Sequence, residues 1–139
     1  KKIVKDVIEP LYIESSFVQV YSGVNKKLSM VNSLCAIHLL YWAIERMNKH
    51  NTLTLTKAEK KMFIYDMKNK YSISGVNKGL ARLKDCGIIS TTNEWLFNGD
   101  KEYKTRNSMY YINPYFFWKN PAKNSRIEMI KALEMVKKL

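Results

Sequence analysis

SISGVNKGLARLKDCGIIS, residues 72–90, places Val76, Leu80 and Leu83 on one stripe of a short helix. Ser74 stands where an N-cap is expected, because its hydroxyl oxygen can accept from the first free N–H groups of a helix. Gly87 suits the C′ position just past the helix end, and Ile88-Ile89-Ser90 opens a strand. The side opposite the stripe carries Gly75, Asn77, Lys78 and Arg82. Two readings are open: an ordinary amphipathic helix, or a helix built to enter a DNA groove.

The flanking residues choose between folds. Upstream, Thr56-Lys57-Ala58-Glu59 is a capping box, in which Thr and Glu each satisfy a backbone N–H of the other. It predicts a helix from Thr56 to about Lys70 that buries Ala58, Met62, Tyr65 and Met67, with Tyr71–Ser74 as the turn to the next helix. Thr52–Leu55 is β-prone, and the apolar run Leu34–Ile44 predicts one long helix over about Leu28–Lys49, buried on more than one side. Phe17–Gly23 alternates as a short strand or extended arm does, whereas Pro10 argues against a helix in residues 1–15. Downstream, Asn98-Gly99 signals a hairpin turn, Met109–Asn113 a second strand ended by Pro114, and Tyr115–Trp118 an aromatic cluster. Ser125-Arg126-Ile127-Glu128 is a second capping box, opening a helix with Ile127, Ile130, Leu133 and Val136 on one stripe.

Two helices joined by a tight turn, with a β-hairpin directly after, describe a winged helix-turn-helix. The expected class is α+β, mainly helical, with an N-terminal arm over residues 1–25, a winged helix-turn-helix over 26–118 and a C-terminal helix over 119–139.

Composition bounds the function. The chain has 139 residues and a formal charge of +12, and its hydrophobic fraction of 46% is enough for a core. The excess is +3 over residues 1–56, +5 over 57–106 and +4 over 107–139, so only folding can cluster it. Such a basic domain points to an acidic polymer, with a merely basic protein as the alternative. Cys35 and Cys86 form no Cys-x-x-Cys pair and are expected as small buried residues in a reducing, cytoplasmic setting. No signal-peptide pattern opens the sequence, and the eleven-residue apolar run is shorter than the roughly 20 residues that cross a membrane.

Enzyme chemistry finds little footing. Phosphate-loop and dinucleotide-binding glycine patterns are absent from the sequence. His38 and His50 have no companion at metal-ligand spacing, so no metal or cofactor is expected, and His38 is expected to be a satisfied core or interface residue. Tyr110, Tyr111 and Tyr115 invite comparison with nicking nucleophiles but read better as packing residues.

The candidate site is therefore a DNA interface. Asn77 offers a donor and an acceptor, the pairing suited to adenine, and Lys78 and Arg82 can meet guanine or phosphate. Ser72 and Ser74 could contact phosphate from the helix start. Gly75 and Gly79 permit either close approach to DNA or close packing of helices. Lys101, Lys104 and Arg106 sit at the hairpin tip, where a wing touches the backbone; the alternative is a solvated charged loop.

Leu28–Asn51, Ile73–Ile89 and Tyr110–Asn120 resemble, in order and spacing, the winged-helix plasmid replication initiators of the firmicute family often called RepL. The resemblance spans about Phe17–Arg126, and its most specific part is Tyr-Tyr-Ile-Asn-Pro-Tyr-Phe-Phe at residues 110–117. It implies sequence-specific binding of double-stranded DNA at a plasmid origin and recruitment of host replication proteins, with the recognition helix at Gly75–Cys86 and the wing between Ile89 and Met109. The chain departs from the pattern in a long wing containing Trp95 and Phe97, which could pack on the domain or on a second subunit, and in Asn120-Pro121. The same architecture would serve a transcriptional regulator, or a protein-interaction module without DNA binding. A homodimer through Leu34–Ile44 and the C-terminal stripe is a secondary expectation.

Overall fold

Two cap residues, Asn32 and Ser33, divide the apolar segment that the sequence suggests as one long helix. In the computed structural model, which describes residues 18–91, 108–121 and 123–138, α1 spans Val24–Val31 and α2 spans Leu34–Arg46. Asn32 adopts the left-handed conformation, with φ 47°, and Asn accepts that conformation more readily than most residues. Ser33 is extended, and its side chain accepts from the Ala36 N–H at 3.1 Å. The break turns the chain so that Val31 and Ala36 both enter the core.

The protein is α+β and mainly helical. After β1 (Gln19–Val20), α1 and α2 come β2 (Thr52–Thr54), α3 (Lys57–Asp66), α4 (Ile73–Asp85), β3 (Ile89–Thr91), β4 (Met109–Ile112), β5 (Phe117–Trp118) and α5 (Lys123–Lys138). The strands form two antiparallel sheets, one ordered β2-β4-β3 and one pairing β1 with β5. Ile89 lies opposite Ile112 and Thr91 opposite Tyr110, so the strands flanking the expected hairpin do pair. The turn signal Asn98-Gly99, together with Trp95, Phe97 and the early Pro10, lies outside the described residues.

Helix α3 keeps the expected capping box at Thr56 and Glu59, but its buried face differs from the expectation. Phe63 is fully buried, whereas Ala58, Met62 and Tyr65 are exposed and Met67 is half-buried. The helix also stops at Asp66. Lys68 and Asn69 take positive φ, and their N–H groups donate to the Tyr65 and Ile64 carbonyls. That closure satisfies the last turn of the helix and reverses the chain toward α4.

Helix α5 starts at Lys123, so Ser125 and Glu128 lie inside it and not at its cap. Arg126 fixes its first turn, donating to the Pro114 and Tyr115 carbonyls and lying 3.5 Å over the Tyr21 ring. Ile127 is exposed and Ile130 half-buried, and the side chains of Leu133 and Val136 lie outside the described residues.

One side chain stitches the two sheets together. Asn51 is fully buried with φ 61°, and its Nδ2 donates to the Ile112 and Phe117 carbonyls at 3.1 and 2.6 Å. Nearby, Asn113 Nδ2 donates to the Gly87 carbonyl, while its Oδ1 accepts from the Tyr115 N–H. The tract 110–117 is therefore structural in role. It ends β4, turns at Asn113-Pro114 and buries Phe116 and Phe117.

Removing Asn51 should leave buried carbonyls unsatisfied. Asn51→Ala is expected to lower stability by about 2–4 kcal/mol in urea unfolding. Asn51→Gly, which suits the positive φ but lacks the amide, should be nearly as damaging; full stability in that variant would show that backbone conformation alone matters.

Candidate nucleic-acid interface

Helix α4 is held by one face. Val76 and Leu83 are fully buried and Leu80 nearly so, as the stripe requires. Gly79 is buried as well. A Cβ built there would lie 3.2 Å from both N and Cα of Ala36, closer than side chains ordinarily sit. This glycine serves close packing of α4 on α2. Gly75 differs, because a Cβ there would meet only the Ser72 Oγ, at 3.4 Å.

The helix begins earlier than the sequence suggests. Ser72, not Ser74, is the N-cap: it is extended, and its Oγ accepts from the Gly75 N–H at 3.0 Å. Starting there also half-buries Ile73 and leaves Ser74 exposed in the first turn. Gly87 is at C′ with φ 75°, as expected.

Ser74, Asn77, Lys78 and Ala81 are all exposed. Their spacing of three, one and three residues puts them on one side of the helix, away from the buried stripe. Asn77 is engaged from the neighbouring helix, its Oδ1 accepting from Lys60 Nζ at 2.8 Å. Lys57, Lys61, Lys68 and Lys70, on α3 and the turn after it, are also charged, and all are exposed. Of the lysines on α3 and the turn after it, Lys60 is the one seen bonded to α4. Arg82 is exposed too, but its NH1 donates to the Val31 carbonyl at 3.2 Å, at the end of α1. That bond ties α4 to the α1–α2 junction. Lys101, Lys104 and Arg106 lie outside the described residues.

Helices α2 and α3 are joined by a polar clasp. Trp42 Nε1 and Arg46 NH2 both donate to Asp66 Oδ2, at 2.9 and 3.2 Å, and Arg46 lies 4.1 Å over the Trp42 ring. Phe63 packs edge-on against Trp42 and stacks on Tyr71, which carries the turn into α4. The Tyr71 hydroxyl lies 2.7 Å from His38 Nδ1, so this histidine is satisfied by a neighbour. Burial pushes the Tyr71 phenol above its ordinary value, and nearby Cys35 adds to the shift. Cys35 and Cys86 are free thiols, half-buried and packed at the core edge, less enclosed than expected. Burial raises the Cys35 thiol.

Other chemistry is sparse. Tyr110 and Tyr111 are buried, burial raises the Tyr110 phenol, and Tyr115 is exposed. Among the described residues no group of three or more His, Cys, Asp or Glu could hold a metal ion, and no helix is long and apolar enough to cross a membrane. A cleft of about 300 Å³ is lined by Arg46, Thr52, Thr54 and Glu59, but Arg46 is engaged with Asp66 and Glu59 with its cap. Comparison with protein-family models, curated proteins and solved structures gives no match to this chain.

Of Gly75, Asn77, Lys78 and Arg82, expected on the open side, Asn77 and Lys78 lie exposed there beside Ser74, Gly75 is half-buried and Arg82 is bonded to Val31. Lys60 and Ala81 join them without having been expected. Ala81 was legible as the next turn of the same face, whereas Lys60 arrives only through the angle between α3 and α4.

Packing and electrostatics around α4 make two checks. Gly79→Val should lower stability by more than about 2 kcal/mol, since the branched side chain has no space against Ala36. Gly75→Ala should raise it by about 0.5–1 kcal/mol, by removing backbone freedom from an uncrowded helical site. Thermal unfolding of both variants distinguishes the two glycines.

For Glu59, partial burial pushes the carboxyl up, but hydrogen bonds from Thr56 and Thr54, with the charge of Arg46, outweigh it and hold the group below its ordinary 4.5. A value lowered by folding gives stability that is present above the unfolded value and lost as pH falls through the folded one. Acid unfolding of the native chain should therefore steepen below 4.5 relative to Glu59→Gln.

Proposed function

We propose that this protein is a winged-helix DNA-binding protein that presents α4 to the major groove of duplex DNA. The observation that carries the reading is the two-sided character of α4: one face locked to α2 through Gly79, the other exposing Ser74, Asn77, Lys78 and Ala81, with Lys60 reaching Asn77 from α3. A major groove admits a single helix, and these side chains suit its edges: an amide and an ammonium for base acceptors, a methyl for thymine. The chain order α2-β2-α3-α4-β3-β4, with β2 added to the hairpin strands, is how such a domain would brace its reading helix.

In this proposal the assignments shift from those the sequence suggests. Asn77 and Lys78 remain base or phosphate contacts. Ser74 is exposed for phosphate, while Ser72 mainly caps the helix. Arg82 positions α4 through Val31. Gly75 is the glycine whose open surroundings suit close approach of a backbone. Initiation at a plasmid origin, with host replication proteins as partners, is the specific role supported by the resemblance in residues 28–51, 73–89 and 110–120. Transcriptional regulation would use the same contacts and differ only in where the sites lie.

Selection of bound molecules from a random duplex library, at two salt concentrations, tests the proposal. The native chain should enrich a defined motif. Asn77→Ala with Lys78→Ala should erase it and cost about 1–3 kcal/mol for the base contact, with a shallower salt dependence if Lys78 meets phosphate. Motif-free binding that responds only to salt would contradict base reading and favour a protein-interaction role.

A further inference from the structure

The bond between Lys60 and Asn77 changes what the reading helix can recognise. An unconstrained Asn pairs with adenine by accepting from the N6 amino group and donating to N7. Here one of the two lone pairs of the acceptor is already taken. Lys60 Nζ donates to Asn77 Oδ1 at 2.8 Å, from a different helix, so the amide is oriented with its carbonyl toward α3. The Nδ2 group, with two hydrogens, is what remains to face a base edge. An ammonium also stands directly beside it, with further N–H donors of its own.

We propose that Lys60 and Asn77 act as one donor-rich unit that favours guanine. Guanine offers N7 and O6, two acceptors, to the major groove. Adenine would present its amino group to a carbonyl already bound by a cation, and next to a positive charge. Lys60 is thus a positioning residue that sets the specificity of Asn77. This inference rests on the DNA-binding reading above, and it adds the identity of the base and a second residue that determines it.

The test uses the full chain as native, Asn77→Ala and Lys60→Met, the last keeping most of the side-chain stem without the charge. Each is put through duplex selection, and the affinity of the selected site is then measured with each base at every position. The position relaxed by Asn77→Ala identifies where Asn77 reads. The expected result is guanine there for the native chain, by about tenfold over adenine, and a switch toward adenine for Lys60→Met.

Adenine preferred by the native chain at that position would overturn the inference. So would an unchanged preference in Lys60→Met with only a lower salt slope, which would make Lys60 a phosphate contact. A motif that Asn77→Ala leaves intact would also overturn it, while leaving DNA binding through other residues standing. Absence of any motif for the native chain would instead bring down the DNA-reading proposal itself, and this inference with it.

Discussion

The contact between Gly79 and Ala36 is the constraint on which the arrangement of α4 depends. With no side chain at 79, the backbones of α2 and α4 approach until an added Cβ would sit 3.2 Å from Ala36. That closeness lets Val76, Leu80 and Leu83 reach the core together, although the stripe is narrow. Burial of these three side chains is worth roughly 1.5–3 kcal/mol each, and it sets the rotation of the helix about its own axis. Once the rotation is fixed, Ser74, Asn77, Lys78 and Ala81 lie on the exposed side, where Lys60 meets Asn77. A glycine that weakens the helix locally thus gives the helix its orientation globally.

Other bonds hold α4 against tilting. Arg82 anchors its later half to the end of α1, and Ser72 secures its first turn. Tyr71, stacked on Phe63 and bonded to His38, fixes the turn by which α3 hands the chain to α4. The Trp42–Asp66–Arg46 clasp keeps α3 on α2, and from α3 Lys60 reaches Asn77 on α4. Asn51 joins the two sheets through the Ile112 and Phe117 carbonyls, and Asn113 ties the turn after β4 to the Gly87 carbonyl. The tract 110–117 is thus a fastening of the fold.

Much of this was legible in the sequence where one local signal acted alone. The capping box at Thr56, the C′ glycine at Gly87, the pairing of β3 with β4 and the stripe of α4 follow from short-range rules. Legibility failed where signals competed. Ser72 and Ser74 are equally good caps, and half-burial of Ile73 favours the earlier one. Hydrophobic periodicity in α3 suggested Met62 and Tyr65, but packing against Trp42 and Tyr71 selected Phe63. The break at Asn32-Ser33 carried cap residues within an apolar run strong enough to mask them. Lys60 was invisible because its bond to Asn77, seventeen positions on, depends on how two helices cross and not on spacing along either one.

Whether the outer face of α4 is the surface that meets DNA is tested most directly by amide chemical-shift mapping, with the isotope-labelled protein titrated by a short mixed-sequence duplex at low salt. The largest shifts and broadening are expected to cluster at Ser74, Asn77, Lys78 and Ala81 with Lys60, and to leave the exposed side of α2 around Leu34 and Tyr41 unchanged. Perturbations centred on α2 or α5, or none that saturate as duplex is added, would contradict that assignment.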